Sequence, residues 1–142
     1  MNSCFFIGHR DAGEAVFPLL EGEIERHIVE YGVEEFIVGR HGRFDGMAAR
    51  AVKQLKKRYP GVQLILLLSY LKNEPLPEGF DGSIYPEELE LVPKRFAILR
   101  ANRAAVDGCD YLITYVRRNY GGAWRCLEYA RNHRKNITNI EA

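Results

Sequence analysis

Apolar positions along this chain fall in short runs, most of them continuous rather than alternating in polarity. Residues 4–7, 36–38, 62–68, 111–116 and 137–140 form five such runs. Each predicts a β-strand, the continuous ones suit strands buried on both faces, as in a parallel sheet covered by helices, and the chain between runs is long enough for helical crossovers. Between the first two runs, Val16, Leu20, Ile24 and Ile28 recur at helical spacing, and Ala48, Val52, Leu55 and Tyr59 do the same between the next two. Both sets predict a helix that buries one stripe on the sheet. Pro18 fits only the opening turn of the first helix, and Gly32 and the Pro60-Gly61 pair end the first and second. A third helix is predicted over 94–106, with Phe96, Leu99 and Val106 as its core stripe, and a fourth over 123–134, packing through Trp124, Leu127 and Ala130. The pattern reads as an α/β fold. The expected form is a Rossmann-like three-layer sandwich, with a mainly parallel sheet of five to six strands and helices on both faces, in one domain over 1–142.

Residues 69–93 break the pattern. They hold Pro75, Pro77, Pro86 and Pro93 with Gly79 and Gly82. A structureless stretch of that length is uncommon in a compact domain, so it is either a functional lid or conceals a short strand near 83–85.

Composition narrows the function classes. Twenty Lys and Arg against nineteen Asp and Glu leave a net charge of +1, too little for a generic polyanion binder, so nucleic acid is not the expected partner. Cys4, Cys109 and Cys126 are odd in number and none forms a C-x-x-C pair, which indicates neither a disulfide framework nor a zinc site. No metal or cofactor is expected. The apolar run at 4–7 is shorter than a signal-peptide core and no segment reaches membrane-span length, so the expected setting is the cytoplasm.

In open parallel sheets, ligands bind beyond the carboxyl ends of the strands. Three loops there concentrate glycine and cationic side chains: Gly8-His9-Arg10-Asp11 after the first run, Gly39 through Gly46 after the second, and Arg117 through Gly122 after the fourth. Glycine lets backbone approach a ligand, helix N-termini offer N–H groups to anionic oxygens, and arginine adds paired charge-assisted bonds. That chemistry suits phosphate. The candidate ligand-binding set is Gly8, His9, Arg10, Gly39, His41, Gly42, Asp45, Arg103, Gly121, Gly122 and Ala123. His9 and His41 lack metal-ligand spacing and are expected to donate hydrogen bonds to a ligand or to pin loops. Arg103 lies at i+4 from Leu99, close beside the third helix's core stripe. Glu128 follows the Gly121-Gly122 pair, and its orientation depends on where the helix starts; pairing with Arg131 or Arg125 is the commoner fate of such a glutamate.

Phe6-Ile7-Gly8-His9-Arg10, the segment from Gly39 to Asp45, Arg100-Ala-Asn102-Arg103 through Asp110, and Gly121-Gly122-Ala123 through Glu128-Tyr129-Ala130 together resemble the SLOG superfamily over nearly the whole chain. That Rossmann-like group joins the LOG phosphoribohydrolases, the DNA-processing DprA/Smf proteins and the YpsA-like family. The resemblance is closest to the YpsA-like branch, because Tyr120, Trp124 and Arg125 stand where the LOG signature has proline, glycine and threonine. It implies binding of a nucleotide or a nucleotide-derived ligand of NAD or ADP-ribose type, as sensor or sequestering protein, and a homodimer. An alternative is a LOG-like phosphoribohydrolase that cleaves an N-glycosidic bond, with Glu128 and Arg103 as its catalytic pair. A minor alternative is a nucleic-acid module like DprA/Smf, in which Arg40, Arg43, Arg117 and Arg118 track a backbone and Tyr120 or Trp124 stacks on bases.

Overall fold

The computed structural model describes residues 2–71 and 73–141. Its framework is a six-stranded, wholly parallel sheet: β1 (Asn2–Gly8), β2 (Val33–Val38), β3 (Gln63–Leu67), β4 (Gly82–Ile84), β5 (Tyr111–Tyr115) and β6 (Asn136–Asn139), in the order β4-β3-β2-β1-β5-β6. Helices α1 (Val16–Tyr31), α2 (Arg43–Leu55), α3 (Ala97–Gly108) and α4 (Gly121–Asn132) supply the outer layers. This is the Rossmann-like α/β sandwich that the apolar runs predict. Strand order runs outward from β1 to β4, then returns across β1 to β5 and β6. The direction of winding therefore reverses between β1 and β5, the switch point at which open α/β sheets bind ligands.

The pleat of β1 shows why its run is continuous. Cys4 and Phe6 join a core with Leu20 and Ile24 of α1 and Phe44, Ala48 and Val52 of α2. Phe5 and Ile7 point the other way, into a core with Ala101, Ala105 and Val106 of α3 and Cys126, Leu127 and Ala130 of α4. Successive side chains alternate between faces and both faces are covered, so every position from Cys4 to Ile7 is apolar. Gly8 ends the strand where a side chain has no room, since a Cβ there would lie 2.2 Å from Phe44 Cγ.

The segment 69–93 does contain a short strand, one residue earlier than expected. Gly82–Ile84 pairs with β3, and Asp81 anchors its approach by accepting the Leu64 N–H at 2.8 Å. Two 3-10 turns, Glu87–Leu91 and Lys94–Phe96, then lead into α3.

The third helix differs from expectation in start and in stripe. It begins at Ala97, and its buried residues are Ala97, Ala101, Ala105 and Val106. Phe96 is largely exposed and Leu99 only half-buried. Small side chains, not large ones, form the contact that brings α3 against the sheet. On α4, Leu127 and Ala130 are buried as expected, Cys126 joins them, and Trp124 is half-buried under the Arg131 guanidinium, 5.7 Å from its ring.

Candidate functional site

Two expected loops are already helix, and that decides what they present. The loop after β2 gives way to α2 at Arg43, which places Asp45 in the first turn. Likewise α4 begins at Gly121, so the Gly121-Gly122-Ala123 stretch is its first turn. Gly121 adopts φ +91°, a left-handed value that a side chain rarely tolerates. No side chain caps this helix. Its first N–H groups have no intrahelical acceptor, and the helix dipole adds partial positive charge there.

These elements enclose a cavity of about 350 Å³ at the carboxyl ends of β1 and β5. Phe5, Phe6, Ile7 and Gly8 of β1 form its floor, with Cys126 of α4 beside them. His9 and Arg10 enter from the loop after β1, and Gly39, His41 and Asp45 from the end of β2 and the start of α2. Gly121, Gly122 and Ala123 close the side opposite, below Arg118 and Tyr120. Nine of the candidate residues thus share one cavity: Gly8, His9, Arg10, Gly39, His41, Asp45, Gly121, Gly122 and Ala123.

Three further candidates lie elsewhere. Gly42 lines an adjoining open depression on α2, and its backbone packs on Arg10. Arg103 is outside the cavity lining; its guanidinium stacks over the Tyr129 ring at 5.1 Å, and its buried Nε has no hydrogen-bond partner. Glu128 is also outside the lining and accepts a 2.9 Å bond from Arg131, the commoner of the fates foreseen for it. The Glu128 and Arg103 pair is therefore not assembled in this cavity. The α3 wall is made instead by Ile98 and Asn102. Asn102 is Arg103's neighbour, and one residue on a helix turns the side chain by about 100°.

His9 is 6% exposed, and it pins loops, the second of the two roles expected of it. Its Nε2 takes the backbone N–H of Arg117 at 2.8 Å and of Arg118 at 3.3 Å. An accepting Nε2 requires the unprotonated form, with the ring proton on Nδ1. Burial, assisted by the nearby Arg118 guanidinium and opposed by Asp11, holds the imidazole below its ordinary range, in keeping with that role. Arg118 also forks on to Asp11, with both nitrogens at 3.0 Å. The loops after β1 and β5 are thus bound together across the switch point.

Asp45 is the one carboxylate in the cavity lining. Its Oδ2 accepts the His41 N–H at 3.1 Å, while its side chain keeps a partial opening. Burial pushes the acid up to about 6, and the His41 N–H pulls the other way. His41 is held below its ordinary range by burial first, then by Arg10 and Arg40. Arg10 has no carboxylate within ion-pair distance among the described residues. The cavity therefore combines uncapped N–H groups and an unpaired guanidinium at its rim with an apolar floor and a single, readily protonated acid. Among the described residues no group of three or more His, Cys, Asp or Glu could hold a metal ion. No helix among them is long and apolar enough to cross a membrane.

No family model matches the chain. A search of curated proteins likewise finds no match. Among solved structures, the chain is similar to DNA processing protein A (DprA) from Streptococcus pneumoniae, with a TM-score of 0.76 at 17% identity. The likeness is one of fold. It covers 100% of this chain and 51% of that one, so the chain spans about half the length of DprA. The DprA-type Rossmann-like fold agrees with the superfamily resemblance in the motifs, at the level of architecture.

Proposed function

We propose that the cavity between β1 and β5 binds a nucleotide or a nucleotide-derived ligand of NAD or ADP-ribose type and leaves it intact, the chain acting as a sensor or sequestering protein of YpsA-like kind. The observation that carries this reading is the convergence, at the winding reversal, of the uncapped α4 N-terminus and unpaired Arg10 upon an apolar floor. Phosphate oxygens would take the N–H groups and the guanidinium, and a base or ribose would cover Phe5 and Ile7. A volume of about 350 Å³ falls within the roughly 300–1,000 Å³ range of small-molecule pockets.

Hydrolysis through Glu128 and Arg103 gains no support from the geometry, because both side chains are engaged outside the lining. A nucleic-acid reading draws on the DNA-processing relative and on Tyr120, which is 65% exposed at the cavity mouth. It predicts salt-dependent binding of single strands.

The test is thermal shift against AMP, ADP-ribose, NAD, cyclic ADP-ribose isomers and cyclic dinucleotides, with chromatography of the recovered ligand. A ligand present at a hundred times its Kd should stabilise the fold by about 2.7 kcal/mol and be recovered unchanged, and Gly121→Val should remove the shift. Released base would replace this reading with a hydrolase. No shift across the panel, together with salt-dependent oligonucleotide binding, would replace it with the nucleic-acid module.

A further inference from the structure

A second space adjoins the cavity at Asp45. On the far side of Gly39 and Asp45 lies an open depression of about 510 Å³, and these two residues line both spaces. Its base is formed by Gly42, just before α2, with Gly46 and the buried Ala49 of α2, which present almost no side chain. A Cβ on Gly46 would meet nothing within 4 Å. Glycine in a helix interior costs about 1 kcal/mol relative to alanine, and no neighbour of Gly46 requires its absence of a side chain.

The charge of this depression is one-sided. Arg40, Arg50 and Lys53 line it, and Asp45, at the shared wall, is the sole carboxylate. Arg40 has no carboxylate within ion-pair distance among the described residues, whereas Arg50 is paired with Glu14 and Lys53 rests over the Phe80 ring at 5.1 Å. Phe80 and Pro77 form the outer wall. A small-residue floor beside an aromatic ring and cationic side chains suits a second nucleoside joined through phosphate, and Gly39 and Asp45, common to both linings, make the two spaces immediate neighbours.

We infer that the site is bipartite, and that the α2 depression holds the second nucleoside and linking phosphate of a dinucleotide whose first nucleotide occupies the β1/β5 cavity. This rests on the reading of that cavity as a nucleotide site. The crossing runs over Gly39 and the Asp45 carboxylate, whose Oδ2 lies 2.9 Å from the Cβ position of Gly39, Arg40 meets the linking phosphate, and the Gly42-Gly46-Ala49 surface carries the second nucleoside.

The experiment is calorimetric titration of the full chain with AMP and with the linear 5′-phosphorylated diadenylate pApA, using wild type, Gly46→Phe and Arg40→Ala. The free space at Gly46 lets Phe fill the depression without displacing the helix, and circular dichroism and Tm verify the fold. Wild type should bind pApA at least tenfold more tightly than AMP. Gly46→Phe should remove that advantage while changing AMP affinity less than twofold, and Arg40→Ala should reduce it in the same direction. Equal affinity for the two ligands in wild type, or an undiminished pApA advantage in Gly46→Phe, would overturn the second subsite while leaving the first standing. If neither AMP nor pApA binds wild type, both subsites are overturned.

Discussion

The two faces of the sheet are packed by different means. On the α1/α2 face, large side chains fill the space: Leu20, Ile24, Phe6, Phe36, Phe44 and Leu55 are all essentially inaccessible. On the α3/α4 face the helices contribute chiefly small ones, Ala101, Ala105, Cys126 and Ala130, with Leu127 as the large exception. Small contact residues bring helix backbone close to the sheet. On that face the cavity opens, with the α4 N-terminus on one side and Ile98 and Asn102 of α3 on the other. The large-residue face holds the scaffold, and the small-residue face shapes the site.

That contrast can be broken experimentally. The largest effect is expected on the scaffold face: Phe44→Ala should cost about 3–5 kcal/mol, measured by denaturant unfolding, because Phe44 is inaccessible and packs against Phe6 and Tyr115. A loss under about 1 kcal/mol would show that this face is not the tightly filled one.

Asp45 is the polar exception near that face, and its effect depends on pH. Its folded acid sits at about 6, above the ordinary 3.8. Between those values the folded chain holds a proton that the unfolded chain has released, so stability falls as pH rises through this window and the deficit is complete above about 6. The difference corresponds to on the order of 3 kcal/mol. Asp45→Asn, whose amide oxygen can still accept the His41 N–H, should therefore be the more stable protein at pH 8 and match wild type near pH 4. Parallel stability curves for the two proteins would contradict the buried-acid assignment.

On the site face the direction of the volume change reverses. Ala101→Leu should destabilise by about 1–3 kcal/mol through overpacking, and by lifting α3 it should also weaken nucleotide binding. Tolerance of Leu there would mean that the small residues are not what sets the helix height. The smallest stability effect belongs to Arg118→Ala. Its pair with Asp11 lies in solvent, so Tm should hardly move while ligand affinity falls through the loosened loop. A clear loss of Tm would mean that the loop junction is part of the scaffold.

The same contrast explains what the sequence discloses. Large apolar residues at helical spacing announce α1 and α2, and unbroken apolar runs announce β1, β3 and β5. The stripe of α3 is hard to see because alanine carries little hydrophobic signal, while Phe96 and Ile98 beside it are conspicuous yet exposed. Glycines and cations after β1, β2 and β5 mark the cavity because turns and anion chemistry both require them at strand ends. Asn102 is named within a motif but not among the expected ligand residues, and Arg103 is expected in its place, because one helical step separates the cavity from the α3/α4 seam. That His9 pins a loop is among the expectations, but its partners are hidden, since they are the backbone N–H groups of residues more than a hundred positions away.

The most direct test of the central claim is amide chemical-shift mapping of the labelled chain during titration with AMP. Perturbations should cluster at Gly8, His9, Arg10 and Gly39 and be largest at Gly121, Gly122 and Ala123. Saturable shifts confined to another surface, or no shifts at millimolar ligand, would contradict a nucleotide site at the junction of β1 and β5.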